Sequence, residues 1–192
     1  MRRDAERNRD RIATVARELF AAHGADVSME QIAAGACLAV GTLYRHYPTK
    51  ADLLEAVIEH SLQDVAGWAV AADAAIAAGA DARAELARLL QRIAARGSEN
   101  RALRSAALSL GVAAQMRDDG SPPIPGSPMC TLLDALDGVL ASAREARVLR
   151  EDVSHVDITV LLRGVLDFEL DSRSRRRYVE IILRGLEPTG AG

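Results

Sequence analysis

The stretch Ile32-Ala33-Ala34-Gly35-Ala36-Cys37-Leu38-Ala39-Val40-Gly41-Thr42-Leu43-Tyr44-Arg45-His46-Tyr47-Pro48-Thr49-Lys50-Ala51-Asp52-Leu53 decides the fold. It contains two short helical segments and the start of a third, longer one. Ser28-Met29-Glu30-Gln31 opens the first as a capping box: the Ser28 hydroxyl accepts from the Gln31 amide while the Gln31 side chain reaches back. That helix runs through about Gly35, a tight turn covers 36 to 39, and a second short helix spans about Val40 to Tyr47. Pro48 ends it. Thr49 is a natural N-cap for the next helix, with Asp52 three residues on. Ala33, Gly35 and Ala36 are small enough for the short helices to cross closely, and Ile32 and Leu43 pin them to Leu19 and Phe20 upstream.

Working outward, apolar residues recur at helical spacing nearly everywhere, and no alternating strand pattern stands out. Ile12, Val15, Ala16, Leu19 and Phe20 mark a first helix that Gly24 stops. The long helix after Pro48 has the stripe Leu54, Val57, Ile58, Ser61, Leu62, Val65, Trp68, Ala69 and Ala72. Further segments are marked by Leu86, Leu89, Leu90 and Ile93, by Leu103, Ala107 and Leu110, and by Leu132, Leu133, Leu136, Val139, Leu140 and Ala143. Residues 117–128 hold four of the six prolines and read as a loop. Val156 to Phe168 is apolar nearly all round, which predicts burial on two sides. Tyr178, Ile181, Ile182, Gly185 and Leu186 form the last stripe. The expectation is an all-α chain of about nine helices.

Two short helices across a tight turn, braced by a third, make a helix-turn-helix, whose second helix enters the DNA major groove. Residues 10 to 58 resemble the tetracycline-repressor (TetR) family, through the stretch quoted above and the preceding Leu19-Phe20-Ala21-Ala22-His23-Gly24. Two positions depart from the family pattern: the turn glycine is Cys37, and the serine that caps the recognition helix is Ala39. The resemblance implies DNA-binding roles for Ser28, Val40, Gly41, Thr42, Tyr44, Arg45, His46 and Lys50. Val40 would meet a thymine methyl and Thr42 a base or phosphate. Gly41 would let the backbone approach closely. Tyr44, His46 and Lys50 would hold phosphates, and Arg45 a phosphate or a base edge.

Composition constrains this reading. Net charge is −3, and residues 1–60 carry eight basic side chains against nine acidic ones, so a DNA partner requires positive charge gathered on one face. Of 24 basic residues only Lys50 is a lysine, and it stands at the family's phosphate-binding position. Arg2, Arg3, Arg7, Arg9 and Arg11 would add a basic arm. No run of about 18 apolar residues spans a bilayer and no signal core follows the mixed-charge N-terminus, so a cytoplasmic location without membrane contact is expected. Cys37, Cys130 and the four histidines fall at no metal-ligand spacing, so neither metal nor cofactor is expected.

Several residues admit two readings. Cys37 is either a small buried hydrophobe or a redox sensor in the turn. Tyr47 reads as core. Arg173, Arg175, Arg176 and Arg177 form either a site for acidic partners or a solvated loop before the last helix. Trp68 is either plain core or part of a ligand cavity, with Met116, Met129 and Cys130 as further lining candidates. The low aromatic content favours an aliphatic cavity.

The expected organisation is a DNA-binding domain over 1–48, a helical effector-binding and dimerisation domain over 49–187, and a disordered tail over 188–192. The expected function is that of a homodimeric repressor, held on a palindromic duplex operator and released by a small-molecule effector. An enzyme would need a nucleophile elbow, a phosphate-binding glycine loop or a metal set, and none occurs; Glu151 to His155 has the wrong spacing for a di-iron Glu-x-x-His pair. A helical adaptor would suit the acidic charge but leaves the grouping of Thr42, Tyr44, His46 and Lys50 unexplained.

Overall fold

The computed structural model describes residues 2–112, 125–166, 168 and 170–188, and of these the side chains of 2–7, 97–100 and 166 are left out. Met116, most of the proline-rich loop and the tail from residue 189 lie outside the described residues, as do the side chains of Arg2, Arg3 and Arg7. Among the described residues there are nine α-helices and no strand. They are α1 (Arg2–His23), α2 (Met29–Gly35), α3 (Val40–His46), α4 (Lys50–Ala77), α5 (Ala82–Ala95), α6 (Gly97–Ser109), α7 (Pro128–Glu145), α8 (His155–Leu166) and α9 (Ser172–Leu186), with a short 3-10 turn over Gly24–Asp26. The expected arm is therefore helical: α1 begins at Arg2, about ten residues before its first buried position.

Local chemistry explains where the helices stop. In α2, α4, α6 and α7 the second residue past the end has a left-handed backbone, and the next amide reaches back to a carbonyl five residues earlier. Gly79 and Gly111 occupy that position after α4 and α6, at φ +94° and +71°. Glycine adopts this conformation without a Cβ clash. Cys37 and Arg147 occupy it after α2 and α7, at φ +53° and +58°.

The chain divides into two compact units. The first comprises residues through Ser61 and the segment beginning at Glu99; the second comprises Leu62–Ser98 and the chain from α7 onward. The helix α4 contributes its first part to one unit and the remainder to the other.

In the first unit, Ile12, Ala16, Phe20, Ile32, Leu43, Leu53 and Leu54 are fully buried. Each large side chain among them stabilises the fold by about 1.5–3 kcal/mol. Gly35 is small for a different reason than the helix-turn-helix crossing suggests. A Cβ there would stand 2.8 Å from Val15 Cγ1 of α1, so the tight approach is between α2 and α1.

In the second unit, α5 packs most extensively on α9. Leu86, Leu90, Leu140, Leu149, Val153, Ile158, Leu162, Val179, Leu183 and Leu186 form its main cluster. Ala69, Ala72, Leu89 and Val139 form a second. Arg83 of α5 holds Glu180 and Glu187, each at 2.6 Å.

Three expected stripes shift. On α4 the buried positions include Leu53 and Ala66, whereas Leu62, Val65 and Trp68 are half-buried. On α9 the buried stripe is Val179, Leu183 and Leu186, and Tyr178 and Ile181 are exposed. On α8 only one side is covered: Ile158, Leu162 and Val165 are buried, while Val156, Val160 and Leu161 face out. An apolar helix thus has a bare second face within the single chain.

Gly35→Ala is expected to destabilise the first unit by about 1–2 kcal/mol, because overpacking against a stiff β-branched neighbour outweighs the helix-propensity gain. Urea denaturation of the single variant and of the Val15→Ala/Gly35→Ala pair checks it. The pair should recover part of the loss relative to the sum of its single changes, and simple additivity would place the contact elsewhere.

Candidate nucleic-acid interface

The two short helices are framed by hydrogen bonds their own sequence supplies. Ser28 Oγ accepts from the Gln31 amide at 3.2 Å, and Gln31 Oε1 accepts from the Ser28 amide at 2.8 Å. The Ser28 hydroxyl is thus engaged in capping α2 and sits half-buried. At the other end, Cys37 N donates to Ala34 O at 3.0 Å and Leu38 N to Ala33 O at 2.9 Å, closing the helix. The Cys37 backbone is left-handed at φ +53°, the conformation that favours glycine. Its side chain is exposed, which corrects the buried-hydrophobe reading.

The N-cap of α3 is Ala39, with extended backbone and no side chain to accept from the first turn. Leu43 alone anchors α3 in the core, fully buried. Around it Val40, Gly41, Tyr44 and Arg45 are exposed, Val40 at 38% and Tyr44 at 43%. A Cβ at Gly41 would meet nothing within 4 Å, so the surface there is open. Arg45 Nη2 donates to Thr42 Oγ1 at 3.1 Å. Since that oxygen accepts from Arg45, the Thr42 hydroxyl proton remains available to donate outward. The two side chains form one polar unit on the exposed face. His46 is half-buried at the helix end. Tyr47 is half-buried rather than core, and burial raises the pKa of its hydroxyl.

Lys50 has a partner that its position in the sequence does not reveal. Its Nζ donates to the Ala25 carbonyl at 2.8 Å, in a partly buried setting, and so ties the start of α4 to the turn after α1. An ammonium carries three donors, so this bond leaves capacity for an anion. Thr49 and Asp52 cap α4 reciprocally: Thr49 N donates to Asp52 Oδ2 at 2.9 Å, and Asp52 N to Thr49 Oγ1 at 3.1 Å. From Leu38 to Ala51 the chain carries Arg45 and Lys50 and no Asp or Glu, although the first sixty residues as a whole are not basic. Arg9 and Arg11 are exposed on α1.

The other singled-out residues lie in the second unit. Trp68 is half-buried and lines a cavity of about 610 Å³. Met129 and Cys130 are half-buried in the first turn of α7 and do not line that cavity. The arginine run 173–177 is not a loop but the first turns of α9, and Arg175 and Arg176 stand on the cavity wall. The wall thus carries guanidiniums beside the aliphatic Ala71, Ala72, Leu89 and Ala95. Among the described residues no group of three or more His, Cys, Asp or Glu could hold a metal ion.

Comparison with known proteins agrees with this geometry. The model of bacterial regulatory proteins of the tetR family matches residues 12–57. An HTH-type transcriptional regulator of Staphylococcus aureus (strain USA300) is 44% identical over 63 residues, 32% of this chain. That match spans only 34% of the relative's length. A TetR transcription regulatory protein from Mycobacterium vanbaalenii is 30% identical with a TM-score of 0.72, covering 97% of this chain and 98% of that one. The regulator SCO0520 from Streptomyces coelicolor, 24% identical over 95% of this chain and 99% of that one with a TM-score of 0.71, shares the fold.

The strain at Cys37 and the bare cap at Ala39 give paired expectations. Cys37→Gly should stabilise the protein by about 0.5–1 kcal/mol, the relief of a left-handed Cβ less the added glycine entropy. Ala39→Ser should add about 0.5–2 kcal/mol by capping α3. Denaturant titrations check both, and a loss of stability in Cys37→Gly would contradict the left-handed turn.

Proposed function

Because the chain belongs to the TetR family of transcriptional regulators and carries its helix-turn-helix DNA-binding domain, we propose that it is a homodimeric repressor of a palindromic operator, released when a small molecule occupies its helical body. The observation that carries the reading is the face of α3: Val40, Gly41, Tyr44 and Arg45 are exposed around a fully buried Leu43, with Arg45 bonded to the half-buried Thr42.

In this reading α3 lies in the major groove. Val40 meets a thymine methyl, and Thr42 donates to a base or phosphate acceptor while Arg45 orients it. Tyr44, His46 and Lys50 hold the backbone, which positions the helix without specifying sequence. Ser28 acts at one remove, by fixing the start of α2. Residues 1–48 form the DNA-binding part and 49–187 the effector-binding and dimerisation part.

The bare faces of α8 and α9 support dimerisation. Val156, Val160 and Leu161 on one helix and Tyr178 and Ile181 on the other are exposed large hydrophobics. Gly164 and Gly185 have open space where a Cβ would stand, so a second copy can approach closely. A two-fold dimer spaces its recognition helices for half-sites about one helical turn apart or a small multiple. The helix α4 is continuous from Lys50 past Trp68, so an effector that prefers the DNA-incompetent arrangement shifts the population off the operator. A coupling of about 1–3 kcal/mol is typical. Among the described residues no helix is long and apolar enough to cross a membrane, and the proposed workplace is the cytoplasm.

The test is selection of binding sites from random duplex DNA by the wild type, Thr42→Ala and Lys50→Ala. The wild type should enrich a palindrome, and Thr42→Ala should relax it at particular positions. Folded Lys50→Ala should bind all sites more weakly, with a salt slope smaller by about one counterion. Absence of enrichment by folded dimer at low salt would refute the repressor reading.

A further inference from the structure

A cavity lies wholly in the second unit, between α4, α5 and the first turns of α9. Its volume of about 610 Å³ is in the range that small organic ligands occupy. Ala72 and Leu89, both buried, give it an apolar floor beside the Trp68 indole.

The walls carry four guanidiniums, Arg88 and Arg92 from α5 and Arg175 and Arg176 from α9, against the single carboxylate of Glu85. Glu85 is already paired with Arg88 at 3.0 Å. Arg175 donates to the neutral Leu170 carbonyl at 3.0 Å. Among the described residues Arg92 and Arg176 pair with no carboxylate. Arg92 lies over the Trp68 ring, 4.1 Å from its centroid. Arg96, also over that ring at 4.5 Å, is neutralised by Asp64 at 3.0 Å. A chain of net charge −3 thus places four guanidiniums and one carboxylate about one cavity; among the described residues Arg92 and Arg176 have no carboxylate partner, while Arg175 acts on the Asp171 carboxylate nearby. The amide start of α9 does not account for this, since Asp171 already caps it and accepts from Ser174 N at 2.7 Å.

Solvated arginines on one helix face diverge into water. These come from two helices distant in sequence and line one cavity, Arg92 over the Trp68 ring, with Arg88, Arg92 and Arg176 exposed and Arg175 half-buried. We infer that the cavity binds an organic anion with a flat apolar body, its carboxylate or sulfonate held by Arg92, Arg175 and Arg176 and its body against Trp68. Guanidinium matches such an anion with two parallel N–H donors and keeps them while stacked on a ring. The binding site stands on these residues alone; that its occupant is the effector rests on the repressor reading.

Trp68 is the only tryptophan in the chain, so its fluorescence reports this cavity directly. The probe is 8-anilinonaphthalene-1-sulfonate, compared with N-phenyl-1-naphthylamine, which has the same ring body without the charge. The full chain should bind the sulfonate at least tenfold more tightly than the neutral amine, with energy transfer from Trp68. In Arg92→Gln/Arg176→Gln, with an unchanged thermal melt, the sulfonate should fall to the level of the amine. Equal binding of the two probes by the wild type, or indifference to the double substitution, overturns the anion site. Displacement by inorganic sulfate at equal concentration overturns the need for an apolar body. Repeating the titration on the operator complex separates the two readings. Binding with release of DNA supports both. Binding with DNA retained supports the anion site and overturns the effector assignment.

Discussion

A seven-residue helix has almost no stability of its own in water, because nucleation fixes several residues before many hydrogen bonds repay it. Both α2 and α3 are seven residues long. Their existence depends on burying Ile32 and Leu43, with Phe20, at zero exposure. This burial is the constraint from which the exposed face of α3 follows. Once Leu43 is fixed in the core, the periodicity of α3 turns Val40, Gly41, Tyr44 and Arg45 outward together. Gly35 enforces the same frame from the other side, since only a missing Cβ lets α2 lie so close to Val15.

Polar groups then fix what burial leaves loose. Reciprocal caps at Ser28–Gln31 and Thr49–Asp52 set where α2 and α4 begin. The Lys50 ammonium joins the start of α4 to the turn after α1. In contrast, the turn itself is strained at Cys37 and α3 begins uncapped at Ala39. The motif is therefore held by its surroundings more than by its own first turn. A recognition helix whose start is weakly specified in the free protein can still adjust against a phosphate or base.

The second unit shows a complementary pattern. A second cavity there, of about 10 Å³ against Leu86, Leu90 and Leu140, has room for at most a single water. What distinguishes this unit lies at its margins: apolar side chains left bare on α8 and α9, and guanidiniums gathered around Trp68. Each is a cost to an isolated chain that the proposed partner copy or anion would remove.

The helix-turn-helix was legible in the sequence because its determinants are local. Caps act over three residues, a helix face repeats every three or four, and the small residues fall between them. The helical class followed from the same periodicity. Periodicity could not say which side of an apolar helix finds a neighbour, so Val156, Val160, Tyr178 and Ile181 were expected inside and lie outside. Nor could it tell that Gly35 serves the contact with α1. The bond from Lys50 to Ala25 and the meeting of Arg92 with Arg175 and Arg176 over the Trp68 cavity depend on groups far apart in the chain. A local pattern determines what each segment can become; which of its faces are covered, and which charges are brought together, is decided only when distant segments pack.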